Sequence, residues 1–169
     1  MSKSTKLMGE GAGAIARKVG RKLNFPTYHG PAGQVVRTSP EQIGKLAKRA
    51  SKRRQYLGRT PGKSSRTGRE VIQRLKDAKP PQITTVRGKD YLIWENPKTG
   101  VRERVPLSEC DMSHTPVDAV TYWNTTGRHT GARSPEVRAW MLESERYTLQ
   151  PASYNRSEGA KLGITYMDP

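Results

Sequence analysis

The chain has 169 residues, of which 33% are hydrophobic, with one Cys, one Phe and a net charge of +16. One cysteine excludes an intramolecular disulfide framework and a cysteine-based zinc cluster. No apolar run approaches the roughly 18 residues of a membrane span, and the first residues lack the apolar core of a secretory signal.

The charge is one-sided. Residues 1–80 hold 20 Lys/Arg against 4 Asp/Glu, and residues 81–169 hold 11 of each. A basic excess confined to one half is what a polyanionic partner requires, because phosphate contacts release counterions and dominate affinity. The length and composition suit one domain with an arm and a small core.

In chain order, Leu7, Ile15, Val19 and Leu23 recur at helical spacing, but the glycines among them predict only a weak basic helix over 1–24. Residues 25–38, with Pro26, Gly30, Pro31 and Gly33, read as loop. Ser39-Pro40-Glu41 is a helix start, and that helix runs to about Tyr56. Its apolar positions Ile43, Leu46 and Ala47 are few; Lys45, Lys48, Arg49, Lys52, Arg53 and Arg54 crowd the rest. Gly62-Lys63-Ser64 lies in the next loop. It lacks the spacing of a phosphate-binding loop and has no strand before it. Thr67 and Glu70 form a capping box for a helix with Val71, Ile72 and Leu75 on its apolar face, ending near Ala78.

Two strand-like runs within 82–95, separated by Gly88, precede a turn at 96–100. Val101–Val105 pairs back as a hairpin, which leads into Cys110-Asp111-Met112-Ser113-His114. Thr115, Pro116 and Asp118 read as a second capping box, with Asp118 better explained as a cap than as a metal ligand. The helix that follows ends by Gly127. Ser134-Pro135-Glu136 starts another, with Val137, Trp140 and Met141 on one face. Residues 147–151 are extended. Asn155-Arg156-Ser157-Glu158-Gly159 then forms a second polar cluster; Ser153–Ser157 has loop composition, so Asn155 is equally readable as a turn residue.

The two polar clusters together hold the groups for phosphodiester hydrolysis. Water must be activated by a base, charge on the leaving oxygen offset by a metal, and neighbouring phosphates held by cations. His114 suits the first role, because acids lie three residues before it and four after. Neither His29 nor His129 has clustered acids. Asn155 or a carboxylate suits a hard divalent cation, and Arg156 and Lys161 suit phosphates.

Several segments carry a resemblance. Asp111-Met112-Ser113-His114 resembles the Asp-x-Gly-His motif of ββα-metal nucleases, and Leu149–Asn155 resembles the segment that bears their metal-binding Asn. The run from Thr60 to the C-terminus resembles the GH-E group of HNH/endonuclease VII-type nuclease toxins. It does so through Thr60–Val71, Asp111–His114, Asp118–Val120, Trp123-Asn124, Ser134–Arg138 and Asn155–Gly163. Ser113 departs from the pattern, standing where that group has Gly.

The resemblance implies an α+β fold: a ββα-metal (HNH/endonuclease VII-like) core over 60–169 with additional helices, and a basic helical arm over 1–59. It implies an endonuclease cutting DNA, or RNA at the same site. His114 would be the general base. Asp111 would orient His114 or bind metal, and Asn155, Asp111 and Glu158 would be the metal ligands, with Glu136 also open as the family's acid. Arg66, Arg156 and Lys161 would hold substrate. The cofactor would be a divalent metal, Mg²⁺ first, with Mn²⁺, Zn²⁺ or Ni²⁺ as alternatives. The protein would be a monomeric toxin without stable membrane insertion, delivered to the cytoplasm of a competitor cell and neutralised by an acidic immunity protein. The reading also predicts that His114 and Asn155 approach one another. A non-enzymatic nucleic-acid-binding protein is the alternative.

Overall fold

The computed structural model describes residues 28–29, 35–36 and 40–169. The chain divides into two compact units, residues 1–52 and 53–169. The weak helix expected within 1–24 lies outside the described residues. In the first unit the expected loop contains a short antiparallel ladder, β1 (Tyr28–His29) with β2 (Val35–Val36). Helix α1 (Pro40–Tyr56) follows as expected, with Glu41 in its first turn ion-paired to Lys45 at 2.8 Å.

The core of the second unit begins within α1 rather than at Thr60. Tyr56 and Leu57 are buried, and Tyr56 stacks on Trp123 at 4.7 Å. Two arginines from a distant loop and helix donate to carbonyls at and just beyond the end of α1. Arg133 donates to Arg54 O at 2.8 Å and Arg138 to Leu57 O at 2.6 Å.

Helix α2 (Arg66–Asp77) starts one residue before the expected cap. Ser65 is the N-cap, its Oγ accepting from Gly68 N at 3.1 Å. Thr67 instead turns inward, 2% exposed, and donates to Leu142 O at 2.8 Å. Gly68 lies so close to the Gly62 carbonyl and the Lys63 backbone that a Cβ there would overlap both.

The expected strands form a three-stranded antiparallel meander: β3 (Ile83–Val86), β4 (Lys89–Glu95) and β5 (Arg102–Pro106). Arg87 and Gly88, at φ 50° and 76°, make the loop between β3 and β4. Two consecutive positive φ values give the turn whose twist matches that of the strands.

The meander does not continue into the strand bearing His114. Strand β6 (Cys110–His114) pairs with β7 (Tyr147–Pro151) in a sheet of their own, with Asp111 opposite Gln150 and His114 opposite Tyr147. Between them lie α3 (Ala119–Thr125) and α4 (Pro135–Leu142). Helix α5 (Ala152–Lys161) follows β7 directly, in a segment whose composition was equally readable as a turn, and packs on β6 and β7. The described structure is α+β, and among its residues no helix is long and apolar enough to cross a membrane.

One loop and helix hold the start of both site strands. The Lys63 ammonium donates to Leu107 O and to Cys110 O, the latter at 2.5 Å, just where β6 begins. The Arg74 guanidinium donates to Ser144 O at 3.1 Å and Tyr147 O at 2.5 Å, where β7 begins. Lys63 is thus a main-chain clamp, which accounts for a Gly-Lys-Ser triplet outside any phosphate loop. Lys63→Met is expected to cost about 1–3 kcal/mol, because two partly buried carbonyls lose a charged donor. Urea denaturation measures this, and an unchanged midpoint would refute the clamp.

Candidate functional site

Strand β6 presents different chemistry on its two faces, because alternate residues point to opposite sides. Cys110 is buried and Met112 packs against the same core. His114 shares their parity. Asp111 and Ser113 point the other way, toward α5. There the Asp111 carboxylate meets Arg156, with Nε to Oδ2 at 3.0 Å and Nη2 to Oδ1 at 3.4 Å. Both side chains are about 30% exposed, at 29% for Arg156 and 31% for Asp111.

The wheel of α5 places Asn155. The exposed residues Ser153, Ala160 and Lys161 lie on one side. At 100° per residue, Asn155 is on the opposite side, at the centre of the inward face. The seam between α5 and the β6–β7 ladder holds the Asp111–Arg156 pair, and Asn155 precedes Arg156 on the helix. Asn155 sits in a helix rather than a turn.

Glu158 does not join them. It is bound to Lys98 on the β4–β5 turn at 2.5 Å and to Lys161 at 3.2 Å. Hydrogen bonding from Lys98 holds its carboxyl below the ordinary range, against the effect of burial. Glu158 and Lys161 are thus part of an ion-pair group tying α5 to the meander. Tyr154, one turn earlier, packs on Trp94 of β4 at 4.9 Å. Arg66 lies on the outside of α2, 3.6 Å from Glu70 and with its side chain 77% exposed. Glu136 is exposed in the first turn of α4. Asp118 is a cap, as expected, but as the N-cap itself: its carboxylate accepts from Thr121 N at 2.9 Å and Thr121 Oγ1 at 2.8 Å.

His114 has a different setting from the one expected. Its ring lies parallel to Trp140 at 5.1 Å and against Tyr147 at 4.3 Å. Trp140 in turn stacks on Tyr122 at 3.8 Å. Nε2 is buried and has no hydrogen-bond partner. Burial first, then the positive charge of Arg53, pushes the imidazole from 6.5 down to about 4, with Asp118 acting in the opposite sense. It is neutral at physiological pH. Parity puts the His114 ring on the face of β6 opposite the Asp111 carboxylate.

The donors available to a metal are few. Among the described residues no three His, Cys, Asp or Glu side chains gather to hold one. The seam offers one carboxylate and one amide oxygen. That set suits a cation such as Mg²⁺, which binds one or two carboxylates and keeps several waters. It does not suit zinc, which takes four protein ligands in structural sites and three in catalytic ones. Comparisons with protein-family models, curated proteins and solved structures find no match to this chain.

The clamping roles of Lys63, Thr67 and Arg74 and the ring stack around His114 were not legible in the sequence. Trp140 read there only as part of an apolar helix face, and Tyr147 only as part of an extended stretch.

The depressed His114 value has a stability consequence. The unfolded imidazole takes up its proton near 6.5 and the folded one near 4. Stability from His114 is complete above the first value and falls as pH drops toward the second. The full loss is on the order of 3 kcal/mol. His114→Phe keeps a ring in the stack without a titrating group. Between pH 7.5 and 5.0, urea midpoints of the wild type are expected to fall further than those of His114→Phe. Equal shifts would show that His114 is not held neutral.

Proposed function

We propose that the chain is a divalent-metal-dependent endonuclease acting on DNA, with β6, β7 and α5 as its working unit. The observation that carries this reading is the seam. A strand, its antiparallel partner after a long insertion, and the helix that follows bring Asp111 against Arg156, the neighbour of Asn155 in the chain. That order of elements is the one a ββα-metal core requires. The one-sided charge supports a nucleic-acid substrate, since phosphate neutralisation dominates such affinity.

In this reading Asp111 and Asn155 hold the cation, which supplies charge stabilisation at the leaving oxygen. Arg156 offers a planar fork of donors suited to phosphate. His114 is proposed as the base on its chemistry, being neutral and unbonded at Nε2. A second reading, a non-enzymatic nucleic-acid-binding protein, rests on the charge distribution and needs no seam.

Incubation with plasmid and with total RNA, in Mg²⁺ or EDTA, tests these readings. The wild type is expected to cleave plasmid only with metal. Asn155→Ala and His114→Gln are each expected to lower the rate by about 100-fold or more, the range of a lost general base. Metal-independent cleavage would reject the metal mechanism, and no cleavage of either substrate would reject the enzyme and leave the binding protein. Cleavage of RNA alone would reassign the substrate. Loss in Asn155→Ala with full activity in His114→Gln would make His114 a packing residue.

A further inference from the structure

We infer that the outer face of the β3–β4–β5 meander is a platform for an unpaired nucleic-acid strand, with Tyr91 as the ring on which a base stacks and Lys89 and Arg104 as the cations that meet its phosphates. This inference rests on the nucleic-acid partner of the reading above and requires neither its metal nor its cleavage step.

The two faces of the meander are unlike. Ile83, Leu92 and Val105 are in register across the three strands and buried in the core. Residues one position along point the other way. On that face Tyr91 stands between Thr84 and Pro106, Ile93 beside Arg104 and Val86 beside Lys89. Val86 and Ile93 are exposed and Tyr91 is half-buried. An antiparallel sheet with one face in water ordinarily sets polar residues outward. Here a ring and two β-branched residues share that face with the cations.

The charge on this face is selective as well. Residues 81–169 are neutral overall, yet Lys89, Arg102 and Arg104 stand here against Glu95 alone. The other acids of these strands, Asp90 and Glu103, belong to the opposite face by parity, and Lys76 of α2 holds Asp90 there at 2.8 Å. Glu95 is taken by Arg102 at 2.8 Å. The Lys89 and Arg104 side chains are exposed and make no ion pair or hydrogen bond among the described residues. Their charge is therefore available to an outside anion.

Shape selects the form of that polyanion. Three strands at a spacing of about 4.8 Å make a backbone sheet about 10 Å wide, and side chains broaden it. The duplex major groove, about 12 Å wide, takes a helix or a two-stranded ribbon. A single strand laid across the sheet can instead turn a base onto Tyr91 while its phosphates meet the flanking cations.

The test is fluorescence anisotropy of the whole chain with labelled oligothymidine and with a duplex of equal length, in EDTA so that no strand is cut. Thermal melts and light scattering accompany it. Tyr91→Ala is expected to weaken oligothymidine binding by about 5-fold or more, the worth of one base–aromatic stack, and to leave duplex binding unchanged. Tyr91→Phe keeps the ring and is expected to bind as the wild type does. Arg104→Gln is expected to lower the slope of log affinity against log salt by about 0.7, one phosphate contact on a single strand. Ile93→Glu changes an exposed position; it is expected to weaken oligothymidine binding and stands in if Tyr91→Ala melts early. Wild-type affinity in both Tyr91→Ala and Ile93→Glu overturns the inference and leaves nucleic acid to the basic half of the chain. An equal loss for the duplex overturns the single-strand assignment. Self-association that Ile93→Glu abolishes, with oligothymidine affinity unchanged, gives the face to a second copy of the chain and overturns the inference. No binding of either nucleic acid by the wild type overturns the inference and the nucleic-acid reading together.

Discussion

The β6–β7 ladder depends on main-chain carbonyls capped from outside the sheet. Its two strands are 32 residues apart in sequence, from the end of β6 at His114 to the start of β7 at Tyr147. Bringing them together carries a loop-closure cost that two five-residue strands offset poorly by themselves. Lys63, Thr67 and Arg74 supply the missing constraint. From one loop and one helix they donate to carbonyls before β6, at the end of α4 and at the start of β7. Carbonyls at such strand entrances need partners when water is excluded. Side chains of adjoining loop and helix therefore do what a third strand would do in a larger sheet.

That constraint makes β6 a divider. On one face Cys110 and Met112 join the sheet core, and His114 enters a ring stack shared with Trp140, Tyr122 and Tyr147. On the other face Asp111 meets α5. The same five residues thus place a neutral imidazole in an apolar setting and a carboxylate in a polar seam. The low pKa of His114 and the ion pair of Asp111 follow from that division. A one-residue shift of register would exchange them, since the side-chain period is 2.

The helix α5 is attached at three points around its axis. Tyr154 packs on Trp94, Glu158 is tied to Lys98, and Arg156 to Asp111. Its apolar content is low, and it has no buried residue. It is therefore held by polar and aromatic contacts rather than by an oil-filled interface.

The local elements were legible because their causes are local. The helix start at Pro40, the meander with its turn at Gly88 and the Ser134-capped helix all rest on caps, turns and alternation within a few residues. The kinds of groups at the candidate site, an acid and a histidine on one strand and an amide on a later segment, were equally readable. Partners and directions were not, because they depend on contacts far apart in sequence. The strand of His114 extends no hairpin but pairs with residues beyond two helices. Asn155 lies in a helix because the β6–β7 sheet gives that segment a surface to pack on. Lys63 and Arg74 look like surface charges until carbonyls 44 and 73 residues away are brought to them. Composition and pattern by themselves determined the basic half, the α+β class and the residues capable of chemistry. Only tertiary structure decided that Asp111 meets Arg156 while His114 faces the rings. The reason is that strand parity is set by register, and register here by pairing with a distant strand.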